Sequence, residues 1–240
     1  MEIAVLSKEG NREHNEDSIG VYEGEDFECF LVADGLGGQG YGEVASGIAA
    51  STAKEMTSHT VWSDIFFSHY FKQANQRIID EQRTNSAHAQ MMTTATMACI
   101  RQNDLYVAHS GDSRCYLFRH KRVVFRTIDH SVTQYLALSG QIKEKEIRFH
   151  PDRSKLLKAI GQRENSDFFE IDRKMRIRRG DALLLCTDGF WELINEKEMC
   201  QCLKKSCGAR EWLDLMEKTV LKNGLNRSMD NYSAIALQIP

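Results

Sequence analysis

The sequence predicts an α+β protein, a four-layer α/β/β/α sandwich of two antiparallel sheets flanked by helices. Three observations carry this reading. Segments of β character alternate in blocks with helices: strands, two helices, strands, two helices and a last strand. The central strands follow one another too closely for helical crossovers, so they pair antiparallel. The second helix places its apolar residues on one stripe, as an outer layer packed on a sheet requires. With 240 residues, 42% hydrophobic and 27% charged, the chain can bury one substantial core, and a single domain over 1–240 is expected.

The elements follow in order. Short strands come first, in "IAVLS" (3–7), "DSIGVYE" (17–23) and "FECFLVAD" (27–34), with polar or glycine breaks between them. A helix rich in Ala and Ser is expected over 42–59, and a second over 62–85, where Trp62, Ile65, Phe66, Tyr70, Ala74 and Ile78 recur at helical spacing. Such a stripe is core. A meander follows in "TTATMACIRQ", "DLYVAHSGD", "RCYLFRH" and "VVFRTI", and "RHKR" (119–122) reads as a hairpin tip. From 130 to 163 the pattern is irregular, with a short helix in "SVTQYLALSG" and a charged "KEKEIR". A polar segment of this length in a compact domain is usually functional or mobile. Strands in "FFEIDRKMRI" and "DALLLCTD", helices over 195–205 and 209–222, and the strand "YSAIALQI" complete the chain. Arg176 and Arg178 alternate with Met175 and Ile177, as on the wet face of a strand.

Composition excludes several functions. The formal net charge of −3 is wrong for neutralising a phosphate backbone, so no nucleic-acid partner is expected. Seven cysteines lie scattered without metal-knuckle spacing, which fits reduced thiols. No basic leader opens the chain and no run approaches the roughly 18 apolar residues of a membrane helix. A cytoplasmic monomer with no membrane association is expected.

The stretch "FLVADGLGGQGYGEVA" (30–45) poses the functional question. Gly35, Gly37 and Gly40 spell the dinucleotide pattern G-x-G-x-x-G, but Asp34 would repel a pyrophosphate, and a helix, not a strand, follows the next helix. The alternative is a carboxylate at a strand tip holding a hard divalent cation. That reading requires further carboxylates at strand tips, since such an ion takes several oxygens from different elements. Asp112 ends "YVAHSGD", Asp188 ends "ALLLCTD", Asp230 precedes "YSAIAL", and "REHNEDS" sets Arg12, Glu16 and Asp17 just before a strand. Each alone could be a turn; four joined to apolar strands are a pattern.

These residues resemble the metal-dependent protein phosphatases of the 2C type. "REHNED" (12–17) matches the family's R-x-x-x-E-D opening, "VADGLGG" its metal-binding Asp-Gly and "GDSR" (111–114) its central motif; "CTDGFWE" (186–192) and "DNYSAIAL" (230–237) match the last two. "HPDRSKLLKAIG" (150–161) resembles the flap and the segment after it, and Leu36 after the Asp-Gly looks like the small bacterial form. The resemblance implies hydrolysis of phosphoserine and phosphothreonine in proteins by a metal-activated water, opposing a Ser/Thr kinase. It implies two Mn²⁺ or Mg²⁺ ions, with a third where Asp112 and Asp188 hold one and Ser154 assists. In that scheme Asp34 bridges the ions, Asp188 and Asp230 complete the first, the Gly35 carbonyl serves the second, and Arg12 clamps the phosphate. Glu16, Asp17 and Asn231 stand in the outer shell. Two positions depart from the family. Leu36 replaces a histidine held to protonate the leaving group, a task that falls first to a metal-bound water and only second to His14, and Met92 replaces a common glycine.

Other phosphatase chemistries lack their residues. No cysteine has Arg six positions on, and there is no D-x-D, no G-x-x-x-x-G-K-[ST] and no H-E-x-x-H. A relative without activity, serving as a scaffold or sensor, is the alternative from another class.

Overall fold

The computed structural model describes residues 1–37, 41–163 and 167–240. Gly40 of the dinucleotide-like pattern lies outside them. The chain opens with strands β1 (Glu2–Lys8), β2 (Ser18–Glu23), β3 (Glu28–Ala33) and the two-residue β4 (Gly35–Leu36). Helices α1 (Gly42–His59) and α2 (Phe66–Thr84) follow. Next come β5 (Met92–Thr93), β6 (Ala95–Arg101), β7 (Asp104–Ser110), β8 (Arg114–Arg119) and β9 (Arg122–Arg126). The 130–163 segment holds α3 (Val132–Leu138) and a 3-10 turn, Glu144–Phe149. The remainder is β10 (Glu170–Ile171), β11 (Met175–Arg176), β12 (Ala182–Cys186), α4 (Asp188–Trp191), α5 (Glu196–Lys205), α6 (Ala209–Gly224) and β13 (Tyr232–Gln238).

Among the described residues, one sheet runs β1-β13-β12-β8-β9 and the other β10-β7-β6-β3-β2, with β11 also on β7. All their pairings are antiparallel. Period-two alternation explains why β12 reads as an unbroken apolar run. Leu183 and Leu185 face the other sheet, packing with Val107, Leu117 and Ile235, while Leu184 and Cys186 join Trp212 and Met216 beneath the C-terminal helices. On the far side Cys29 and Leu31 of β3 meet Ala45, Tyr70 and Ala74 of α1 and α2. The result is the α/β/β/α sandwich expected.

Three local expectations are refined. Helix α2 begins at Phe66, not Trp62, and the Trp62 N–H is held by Asp26 Oδ1 at 2.9 Å; Ile65, expected in the core, is 55% exposed. The strand expected over 168–177 is broken in two. Its pairing with β7 slips by one residue between Ile171↔Ala108 and Met175↔Leu105, so a bulge interrupts it. At the "RHKR" tip, His120 and Lys121 take φ of 51° and 57°, which suits a two-residue hairpin turn.

This topology decides where functional groups gather. Strands β3 and β7 each pair antiparallel with β6, so both end on the same side of their sheet. In the other sheet β13 is antiparallel to β12, with Cys186 opposite Ala234, so β13 starts where β12 stops. One end of the sandwich therefore receives residues 34, 112, 188 and 230 together.

Candidate active site

At that end lies a cleft of about 960 Å³ lined by Arg12, His14, Glu16, Asp34, Gly35, Leu36, Asp112, Ser154, Asp188, Asp230 and Asn231, among others. Every expected ligand lines it except Asp17, which lies buried beneath. Arg12 and Asp230, 218 positions apart, touch here.

Asp34 is anchored through its backbone. Its N–H donates to Thr94 Oγ1 at 3.0 Å, and its carbonyl accepts from Thr93 Oγ1 at 2.8 Å and from the Thr94 N–H at 2.9 Å. The carboxylate is thereby left for the cleft. Gly35 is glycine for a packing reason: a Cβ there would come within 2.3 Å of the Gly42 carbonyl and 2.6 Å of the Glu16 carbonyl oxygen. The first turn of α1 can therefore press against the loop that carries Asp34. Leu36 and Met92, the two departures from the family pattern, are partners in the β4–β5 ladder.

Asp112 follows Gly111, whose φ of +97° is left-handed and whose Cβ would lie 2.5 Å from Thr94 Cγ2. The Asp112 carbonyl accepts from Trp191 Nε1–H at 2.9 Å. Asp188 opens α4 directly after β12. Next to it, Thr187 Oγ1 donates to Asp17 Oδ2 at 2.9 Å and accepts the Ser233 N–H at 3.0 Å.

Asp230 is gripped by Arg12, whose Nε and Nη2 donate to its two oxygens at 2.9 and 2.8 Å. The expected phosphate clamp is thus occupied by an expected metal ligand. Asn231 does not orient Asp230 through its side chain; its backbone N–H does so, at 2.9 Å to Oδ1. The Asn231 amide instead fastens the N-terminal loop, donating to the carbonyls of Glu9 (2.8 Å) and His14 (2.9 Å) and accepting from the Glu16 N–H (2.9 Å). It holds the loop that carries Arg12 and Glu16. His14 contributes that carbonyl to the network.

The electrostatics are those of crowded, desolvated acids. Burial first, then the charges of Asp188, Asp17 and Asp112, hold the Asp34 carboxyl well above the usual carboxylate range. Burial followed by Asp188 does the same to Asp112. Asp188 is raised to about 6, by burial and then by Asp230, and Asp17 to about 7, chiefly by burial. Glu16 is raised, again by burial first, and is partly relieved by a hydrogen bond from the Gly42 N–H at the start of α1. Among the described residues, Asp17 Oδ1 is buried with no hydrogen-bond partner. Clustered carboxylates with an orphaned oxygen form a donor set that fits hard divalent cations.

Sequence reasoning missed the support behind this cluster. Arg114, in the quoted "GDSR", is fully buried: its Nε and Nη2 donate to Asp129 at 2.8 and 2.6 Å, and its guanidinium lies 3.4 Å over the Trp191 ring. Trp191, in the quoted "CTDGFWE", connects that ion pair to Asp112. A second group with ligand-like spacing, His109, His130 and Glu170, does not make a shared site. An imidazole ligates in its own plane, and these rings stack 4.4 Å apart at 11°, so their planes do not meet at one ion.

Comparison with known proteins agrees with the geometry. A family model described as protein phosphatase 2C matches residues 2–135. The serine/threonine phosphatase stp of Listeria monocytogenes (serotype 4b, strain F2365) is 32% identical over 212 residues, 85% of this chain and 83% of that protein. The crystal structure of Stp1 from Staphylococcus aureus superposes with a TM-score of 0.91 at 25% identity, covering 100% of this chain and 96% of that one. The catalytic domain of the phosphatase PstP, crystallised with 2 manganese ions, superposes with a TM-score of 0.83 at 25% identity, covering 99% and 98%. A family match over more than half of the chain, carried by motifs that converge in one acidic cleft, has one meaning: the chain belongs to the protein phosphatase 2C family of metal-dependent serine/threonine protein phosphatases.

Proposed function

We propose that the cleft hydrolyses phosphoserine and phosphothreonine monoesters in proteins at a binuclear Mn²⁺ or Mg²⁺ centre, and that the protein opposes a Ser/Thr kinase in the cytoplasm as a monomer. The observation that carries the reading is the convergence of Asp34, Asp112, Asp188 and Asp230 with Arg12 in one cleft. Asp34, Asp188, Asp230 and the Gly35 carbonyl would hold two ions, and Asp112 with Asp188 a third. Bound divalent ions supply an acidified water nucleophile and neutralise charge on the phosphoryl oxygens.

The chain's own residues do the rest. Arg12 presents a planar fork, now paired with Asp230, that matches two phosphoryl oxygens. It is more than half exposed, so a phosphate entering the cleft can compete for it. Glu16 and Asp17 surround the ligand carboxylates and add negative potential that draws cations in. Leu36 has no proton to give, so the leaving alkoxide must take its proton from water or from His14 at the cleft rim. The 130–163 segment, which brings Ser154 to the cleft, faces the incoming substrate.

The test is phosphate release from p-nitrophenyl phosphate and from a phosphothreonine peptide with Mn²⁺, with a chelator, and with the Asp34→Asn variant. Activity that requires Mn²⁺ and is lost in Asp34→Asn supports the reading. Chelator-resistant activity, or none under any condition, refutes it.

A further inference from the structure

We propose that a second pocket, between the 144–149 turn and α5, is a subsite for the substrate's polypeptide and takes an acidic side chain flanking the phosphorylated residue. This rests on the protein phosphatase reading above. The pocket encloses about 730 Å³; its lining mixes Val123, Phe149 and Leu193 with Lys145, Arg148 and Arg227, and its glutamates Glu144, Glu192, Glu196 and Glu198 are engaged with Arg126, Arg153, Arg148 and the Asn195 N–H respectively.

Arg148 points to the ligand. Its side chain is only 9% exposed. Nη2 donates to Glu196 Oε1 at 2.6 Å, while Nη1 is buried without a hydrogen-bond partner. A buried guanidinium N–H left unmatched is costly, and among the described residues none supplies the acceptor it lacks. The neighbouring charges are already engaged: Arg126 with Glu144 at 2.6 Å, and Arg114 with Asp129 at 2.6 Å. At the rim, Lys145 and Arg227 are exposed, and among the described residues neither forms an ion pair. Arg227 stands 5.8 Å from the Phe149 ring, itself 64% exposed. An anionic group carried on an apolar or extended backbone suits these walls: carboxylate on Arg148, stem along Phe149 and Leu193.

Location makes the ligand part of the substrate. Glu192 lines this pocket and accepts from Arg153 Nε at 2.9 Å. Arg153 directly precedes Ser154, which lines the catalytic cleft. The Arg153–Glu192 ion pair thus links the lining of one cavity to that of the other, and in this proposal a peptide held by its phosphate in the cleft passes this pair to reach Arg148.

The experiment is steady-state hydrolysis, with Mn²⁺, of phosphothreonine peptides that differ only by Ala, Glu or Lys at successive flanking positions. p-Nitrophenyl phosphate is the substrate without a polypeptide. For the wild type, Glu at one position is expected to raise kcat/KM about tenfold over Ala, the worth of one charge-assisted hydrogen bond, and Lys there to lower it. Arg148→Gln should abolish the preference for Glu. The Lys145→Glu/Arg227→Glu double variant should shift it toward Lys while leaving p-nitrophenyl phosphate kinetics as in wild type, a gain that misfolding cannot produce. Equal kcat/KM for all peptides, or an unaltered Glu preference in the double variant, would overturn the subsite alone. Absence of hydrolysis of every substrate would overturn the phosphatase reading and the subsite with it.

Discussion

Asp17 offers the sharpest test of the claim that this cluster is built for cations. One oxygen accepts from Thr187 Oγ1 at 2.9 Å, and the other is buried without a partner. Its carboxyl is pushed from 3.8 to about 7 by burial and then by Asp188 and Asp230. A shift of about 3 units at about 1.4 kcal/mol each is about 4 kcal/mol of destabilisation when Asp17 is ionised in the folded protein. Part of that is shared with Asp34 and Asp188, so Asp17→Asn should recover about 2–4 kcal/mol in chelator at pH 8, or roughly 5–15 °C in Tm for a chain of this size. The sign is fixed by linkage: a carboxyl whose folded pKa is raised favours folding as pH falls through about 7 toward 4. The advantage of the variant should therefore shrink once pH falls below about 7, where folded wild-type Asp17 takes up its proton, and vanish near pH 4, where the unfolded chain is protonated as well. Saturating Mn²⁺ should reverse the ranking, because the cation stabilises the ionised form. The assay is thermal unfolding of both proteins over pH 5–8, with chelator and with Mn²⁺. A variant that loses the same stability at every pH, with or without metal, would show that Asp17 is only a hydrogen-bond acceptor for Thr187 and would refute the reasoning.

Four further outcomes are expected. Arg12→Lys keeps the charge but loses the fork on Asp230, so kcat/KM for a phosphopeptide should fall by about 10-fold or more, measured against an unchanged Tm. Gly111→Ala places a side chain at φ +97° against Thr94 and should destabilise by about 1–3 kcal/mol in denaturant titration. Arg114→Met strands the buried Asp129 carboxylate and should cost about 3–5 kcal/mol, much of it recovered by adding Asp129→Leu. Trp191→Phe deletes the N–H that holds the Asp112 carbonyl; about 1–3 kcal/mol of stability should go, and half-maximal activity should need more Mn²⁺.

What was legible in the sequence followed from period and from strand-end chemistry. The buried run ALLLC and the block order of strands and helices lead to the sandwich, because a strand covered on both faces has no polar positions. Asp34, Asp112, Asp188 and Asp230 were legible because a carboxylate after such a strand must emerge at the sheet's end. The start of α2 was not, since the apolar stripe runs on through Trp62, which packs on Phe27 and Tyr106 from outside the helix, a tertiary contact that no local pattern encodes. Nor was the bulge on β7, because a one-residue slip leaves the composition of 168–177 unchanged. The roles of Trp191 and Arg114 escaped for the same reason: their meaning depends on what they touch across the fold.

The acid cluster also shows what the sandwich core is for. Asp34 and Asp112 extend from one sheet, Asp188 and Asp230 from the other, so the spacing of the four carboxyls depends on how the two sheets pack. What fixes that packing is the apolar layer between the sheets, where Val32, Val107, Leu185 and Ile235 are buried. Close packing makes this layer resist small displacements. A cavity in it, as in Leu185→Ala, would then loosen one pair of carboxylates relative to the other without touching either. Such a change weakens cation binding through geometry alone, which separates the core's task of holding ligands in place from the ligands' task of supplying charge.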